Sequence, residues 1–171
     1  DYLSWQLRGG GANEITTDRG DASGTGYWSA KTNQYDDEVL KIIDSKRDWS
    51  PALPRVASPL EQTGTWQDAV IGCGTGDNMA GALGIGLQPG DVAISLGTSG
   101  TVYAVSATPT NDPSAAVAGF ADATGAYLPL VCTLNATKVF DKFASVLNCD
   151  LSQFGELALG SECGAHDLVL L

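Results

Sequence analysis

The chain has 171 residues, 43% of them hydrophobic, with 20 acidic and 9 basic side chains and a formal net charge of −11. That length supports one domain with a real core, or parts of two. The charge argues against a nucleic-acid or anionic-membrane surface, which needs clustered Lys and Arg, but it leaves room for an anion held by backbone amides or through a metal ion.

In chain order, Asp1-Tyr-Leu-Ser-Trp-Gln-Leu7 reads as part of a helix, and residues 9–26, rich in Gly, Asp and Thr, read as loop, with Asp18 and Asp21 as structural caps. Tyr35 to Asp44 predicts a short helix: Asp36, Asp37 and Glu38 favour its positive end, and Val39, Leu40, Ile42 and Ile43 supply an apolar face. Residues 48–66, with Pro51, Pro54 and Pro59, predict a surface loop, and the compact stretch from Thr63 to Ala69 suggests missing residues. Ala69-Val-Ile-Gly-Cys73 predicts a buried strand, broken by Gly74-Thr-Gly76. Asp77 then stands where a helix N-cap belongs, ahead of a small-residue helix over 78–86 that implies close packing, because each Gly otherwise costs up to about 1 kcal/mol. Gln88-Pro-Gly-Asp91 is a turn, and the change of composition at Pro89-Gly90 is the best domain boundary.

Val92–Leu96 and Thr101–Val105 predict two strands joined by Gly97-Thr-Ser-Gly100. A loop over 107–114, strands over 115–121 and 126–134, and helices over 135–148 and 151–159 follow, and the chain closes on the apolar run Asp167-Leu-Val-Leu-Leu171, which reads as a strand. Ends that cut through a helix and a strand predict a piece of a longer protein. Cys73, Cys132, Cys149 and Cys163 form no C-x-x-C pair and His166 is the single histidine, so no zinc site is expected. Their scatter fits reduced, buried thiols in a cytoplasmic protein. No signal peptide and no apolar run of about 18 residues is present.

Two motifs can carry chemistry. Gly72-Cys-Gly-Thr-Gly-Asp77 lacks the third Gly of a dinucleotide fingerprint, and no Walker A sequence occurs. What remains is a carboxylate on a tight turn at a helix start, either a plain cap or a general base for a substrate hydroxyl. Leu96-Gly-Thr-Ser-Gly-Thr101 gathers hydroxyls and amides in one hairpin tip, either a phosphate cradle without cations or an ordinary tight turn.

Their order, a carboxylate turn and then a phosphate-type hairpin about twenty residues on, is specific. Gly76-Asp-Asn-Met-Ala-Gly-Ala-Leu-Gly-Ile-Gly86 followed by Ile94-Ser-Leu-Gly-Thr-Ser-Gly-Thr-Val-Tyr103 resembles the domain junction of the FGGY carbohydrate kinase family. Asp1–Trp5, Thr17–Thr25, Val117–Asp122 and Leu130–Asn135 extend the resemblance, which is closest to the xylulokinase branch. It implies an α/β, ribonuclease-H-like fold of the actin/hexokinase type, with this fragment spanning the junction of two domains around a cleft. Residues 1–89 would be the C-terminal part of the sugar-binding N-terminal domain, and 90–171 the start of the nucleotide-binding C-terminal domain.

The resemblance further implies an ATP-dependent, Mg²⁺-requiring kinase that makes D-xylulose 5-phosphate. Asp77 would be the catalytic base, with Asn78 beside the sugar. Gly97, Thr98 and Ser99 would face the ATP phosphates, and Asn135 would lie near the nucleotide. The implied partners are a small-molecule sugar and ATP, with a homodimer admitted, and without nucleic acid or membrane. The family's amino-terminal phosphate hairpin, early sugar contacts and adenosine segment have no counterpart in these residues. The same resemblance admits ribulose, gluconate or glycerol as acceptor, and the superfold also serves actin-like and Hsp70-like nucleotide-binding proteins; Asp77 on its Gly-rich turn favours a kinase.

Overall fold

A computed structural model describes residues 1–11 and 15–168. The chain divides into two compact units: residues 1–93 with 103–130, and residues 94–102 with 131–171. Each unit draws on two separate stretches of the sequence.

The first unit opens with helix α1 (Tyr2–Leu7). The stretch expected to be loop contains strand β1 (Thr16–Thr17) and helix α2 (Arg19–Ser23). The side chain of Asp18 caps α2 by accepting the Asp21 N–H at 3.0 Å, so a short polar segment becomes helical through its own cap. Strands β2 (Trp28–Ser29) and β3 (Gln34–Tyr35) pair antiparallel. Helix α3 (Asp37–Ile43) is capped by Asp36, which accepts from Glu38 and Val39; of its apolar face Leu40 is buried, while Ile42 and Ile43 are exposed.

The expected surface loop over 48–66 is more ordered than its prolines suggest. It holds a 3-10 turn at Ser50–Ala52 and strand β4 (Arg55–Val56), which pairs parallel with β1. Strand β5 (Gln62–Trp66) then pairs antiparallel with β6 (Ala69–Gly72). The β6 strand was expected from its apolar run, but it is not buried: among the described residues it has β5 alone as neighbour, in a two-stranded sheet. Helix α4 (Asp77–Gly84) follows, and Asp91 ties the next turn by accepting the Gln88 N–H at 2.9 Å.

Strands β7 (Val92–Leu96), β8 (Gly100–Ala104), β9 (Ala118–Ala121) and β10 (Tyr127–Thr133) form one sheet in the order β7-β8-β10-β9. The β9–β10 hairpin turns at Asp122, whose carboxylate accepts the Thr124 and Gly125 N–H groups and the Thr124 hydroxyl. The main core joins α4 to this sheet through Met79, Ala82, Tyr103, Leu128 and Leu130. A second cluster packs Ala22, Trp28 and Ala30 on Ala121. It is latched where the Ala121 N–H donates to the Ser23 hydroxyl at 3.0 Å.

In the second unit, helices α5 (Thr137–Val146) and α6 (Leu151–Leu159) follow the strand ends. They meet through Phe140 and Phe154, with ring centroids 6.1 Å apart. Asp150 and Gln153 form a capping box that starts α6. Of the strand expected at the C-terminal end, residues 169–171 lie outside the described residues, and Ala165–Asp167 form a left-handed turn with φ of +47°, +53° and +63°. The four cysteines are free, as expected, but Cys132 and Cys163 are exposed rather than buried. Among the described residues no helix is long and apolar enough to cross a membrane.

Leu128 is fully buried at the centre of the main core. Leu128→Ala is expected to lower stability by about 2–5 kcal/mol, the range for truncating a core leucine. Urea unfolding followed by tryptophan fluorescence checks it; a shift below about 0.5 kcal/mol would mean the sheet does not depend on this packing.

Candidate functional site

The turn Gly74-Thr-Gly76 delivers the chain from β6 into α4. Gly74 has φ +83°, a left-handed conformation that side chains rarely adopt, so glycine is required there. The N-cap of α4 is Gly76, with extended backbone, and Asp77 is the first helical residue rather than the cap. Its carboxylate therefore sits on the first turn of the helix itself. The side chain is exposed, and Oδ1 accepts both the backbone N–H of Asn78, at 2.8 Å, and its side-chain amide, at 3.2 Å. Asn78 thus orients the carboxylate through one oxygen, leaving Oδ2 without a hydrogen-bond partner among the described residues.

The turn rests on α2. Met79 is buried, and a Cβ on Gly76 would come 3.0 Å from its sulfur, while one on Gly20 would come 3.2 Å from its Cγ. Two glycines, one on each side, make the slot that the thioether fills. Asp21 also reaches the turn, with Oδ1 3.3 Å from the Gly76 Cβ position. Beneath it, Asp18 is 4% exposed, and burial pushes its carboxyl above the usual carboxylate range, with the charge of Asp21 adding and the Asp21 amide opposing. Burial likewise raises the Cys73 thiol, whose sulfur bonds the carbonyls of Pro59 and Gly74.

In the second unit, Gly97, Thr98 and Ser99 form the exposed tip between β7 and β8. The start of α5 is bound to it: Ala136 N–H donates to the Thr98 carbonyl and Thr137 N–H to the Gly97 carbonyl, each at 3.0 Å. Asn135 is held just before the helix by the Thr133 hydroxyl, which bonds its carbonyl at 3.1 Å. Gly100 is buried where a Cβ would meet Thr133 and Ala136 at 3.2 and 3.3 Å, which is why the tip closes on the helix. The structure therefore brings Gly97, Thr98, Ser99 and Asn135 together in one unit and places Asp77 with Asn78 in the other.

The donors at both places are oxygen-rich, the chemistry that a hard cation such as Mg²⁺ and its phosphate ligands take. Carboxylate atoms of Asp1, Asp18 and Asp21 also lie within 4.8 Å of one another. Asp18 is already committed to the Asp21 amide, so no residue is assigned as a metal ligand. Sequence reading missed Met79 and Gly20 as the support of the Asp77 turn. Their signal was the pair of glycines flanking a lone methionine, visible only once α2 and α4 are known to touch.

Gly76→Ala is expected to destabilise by about 1–3 kcal/mol through overpacking against Met79. Its cost should shrink in a Met79→Ala background, because the sulfur that it meets is gone. A double-mutant cycle by thermal unfolding reads this coupling, and strict additivity would remove the slot from the account.

The family model of the FGGY carbohydrate kinases, N-terminal domain, matches residues 1–84. Xylulose kinase of Streptomyces rubiginosus is 50% identical over 160 aligned residues, covering 88% of this chain and 32% of that protein. The crystal structure of xylulose kinase from Bifidobacterium adolescentis is similar with a TM-score of 0.81 and 34% identity, over 96% of this chain and 38% of that one. Gluconate kinase from Lactobacillus acidophilus reaches a TM-score of 0.75 at 24% identity, over 91% and 35% of the two chains, a likeness of fold alone. The chain thus spans about a third of the length of these relatives. Its mixed α/β architecture is that of these sugar kinases, in line with the expected ribonuclease-H-like, actin/hexokinase-type fold.

Proposed function

Since this chain belongs to the FGGY family of carbohydrate kinases, we propose that the full-length protein transfers the γ-phosphoryl group of ATP to a sugar hydroxyl, with D-xylulose as acceptor and D-xylulose 5-phosphate as product. The choice of sugar rests on the 50% identity to a xylulose kinase across most of the chain. Residues 1–89 then belong to the sugar-binding domain and 90–171 to the nucleotide-binding domain. ATP, the sugar and Mg²⁺ are the small-molecule partners, and the cytoplasm is the setting that such chemistry fits. Because the chain spans about a third of its relatives, the activity is that of the full-length protein, and the 171 residues alone are expected to be inactive.

Asp77 is the proposed base, and the observation that carries the assignment is its geometry. One carboxylate oxygen is anchored by Asn78 and the other is open on an exposed helix start. The acceptor hydroxyl hydrogen-bonds to Oδ2. As its oxygen bonds to phosphorus and the bond to the ADP oxygen breaks, the proton passes to the carboxylate. Phosphoryl transfer runs through a loose transition state, so positioning matters more than base strength. Mg²⁺ arriving with ATP would supply the charge neutralisation. The Thr98 and Ser99 hydroxyls, on a tip held by α5, bind the phosphates, with Gly97 allowing close approach and Asn135 lying toward the nucleotide.

Asp77→Asn keeps the shape and removes the proton acceptor. In the full-length enzyme kcat should fall by at least about 100-fold while the Kd values for sugar and ATP hold, measured by steady-state kinetics and calorimetry. A kcat within a few-fold of wild type would take Asp77 out of this role. Thr98→Val keeps bulk and strand preference while deleting a hydroxyl. It should weaken MgATP binding or slow turnover with D-xylulose affinity nearly unchanged. A selective rise in the sugar's Kd would contradict the phosphate assignment.

A further inference from the structure

The first unit holds a cavity of about 380 Å³ lined by Arg19, Trp28, Asn33, Ser58, Pro59 and Gly125, among others. Arg19 is the unusual member. It is 8% exposed, yet no carboxylate lies within ion-pair distance of it among the described residues. Its guanidinium is instead held by neutral acceptors: Nε donates to Asn33 Oδ1 at 2.9 Å and Nη1 to the Ala126 carbonyl at 3.4 Å. A buried cation bonded only to neutral groups keeps an uncompensated charge, which is costly in an apolar surrounding. Arginine has five donors in a planar fork, and two are used here.

The surroundings fix this fork in place. Asn33 holds its amide oxygen to Arg19 from a left-handed backbone, φ +55°, a conformation that asparagine tolerates better than most residues. Gly125 stands at φ +112°, and a Cβ there would come 4.0 Å from Arg19 Nη1 and 3.9 Å from Pro59. Its turn is bound by the Asp122 carboxylate, so the wall behind the guanidinium is rigid. On the other side Trp28 is buried and supplies a flat apolar face, and Ser58 adds a hydroxyl.

We propose that this cavity binds a small oxyanion, a phosphate or carboxylate group, which pairs with the guanidinium of Arg19. Planar, two-pronged recognition of such groups is what an immobilised arginine does best, and it does so with shorter, stronger hydrogen bonds than neutral donors make. The site does not depend on the role of Asp77 and is tested without a turnover assay.

Sodium phosphate and sodium acetate are titrated at constant ionic strength into the full-length protein and its Arg19→Gln and Arg19→Lys variants, read by calorimetry. In parallel the Arg19 Nε–Hε NMR signal of the wild type is followed. The expected result is saturable millimolar binding of at least one anion, weakened at least about tenfold by Arg19→Gln and less by Arg19→Lys, with a saturating shift of the Nε–Hε signal. Preference for phosphate assigns the site to a phosphate monoester, and preference for acetate to a carboxylate. Equal affinity in wild type and Arg19→Gln would place the anion elsewhere and overturn the proposal. So would an Nε–Hε signal unmoved by either anion, which means that the rest of the polypeptide supplies the counter-charge; this readout decides the matter even if Arg19→Gln does not fold.

Discussion

The contact on which the candidate base depends is the thioether of Met79 in the slot between Gly20 and Gly76. Neither glycine could carry a methyl group without pressing on that side chain or on the carboxylates of Asp18 and Asp21. The slot joins three things that are far apart in sequence: the first turn of α2, the turn that ends β6, and the first turn of α4. Methionine suits the place because its unbranched chain fills an irregular gap. The orientation of Asp77 is thus set from below by packing and from the side by Asn78. Asp18 shows the tension in this arrangement. Its carboxylate caps α2, which a helix start favours, but burial works against its charge.

Local chemistry was legible in the sequence. The helices over Asp37–Ile43, Thr137–Val146 and Leu151–Leu159 carry acidic starts or apolar spacing, and the strands on either side of Gly97–Gly100 carry alternating patterns with a turn between them. What was not legible depends on partners distant in the chain. Thr16–Thr17 and Arg55–Val56 are two-residue strands that exist only because they pair with each other. Ala69–Gly72 has the composition of a buried strand, but burial is decided by neighbours, and among the described residues it has one. Asp77 was read as a cap because a carboxylate after a glycine turn usually is one; Gly76 takes that place because its extended backbone ends the turn one residue earlier. Arg19 lies in a stretch that reads as a Gly-, Asp- and Thr-rich loop, and its setting comes from Asn33 and Ala126, 14 and 107 residues away.

The hairpin tip illustrates how a fold can ready a polar loop for a ligand. A helix start leaves N–H groups that need acceptors. Here the N–H of Ala136 just before α5 and that of Thr137 in its first turn are taken by the carbonyls of Thr98 and Gly97. Those amides are spent on structure, so they are not the donors that meet a phosphate. The tip is fixed in return, with its hydroxyls on the outside. Of the tip's own amides, that of Gly97 is given to the Ser99 carbonyl, so the proposed phosphate contacts are the hydroxyls and amides of Thr98 and Ser99, with Asn135 nearby.

A chain with a net charge of −11 would have to hold an anion locally. Its overall field repels phosphate, but that field is screened beyond about 8 Å at physiological salt, whereas a hydrogen bond acts at about 3 Å. Local donors therefore decide whether an anion binds, and the global charge mainly slows its approach. The two places argued for here use different donors. In the proposed reading the tip offers neutral hydroxyls, and its ligand would bring the cation. Arg19 offers a full charge on a buried side chain that lines a cavity. An anion without its own metal ion is better matched to the second, and one that arrives with magnesium is better matched to the first.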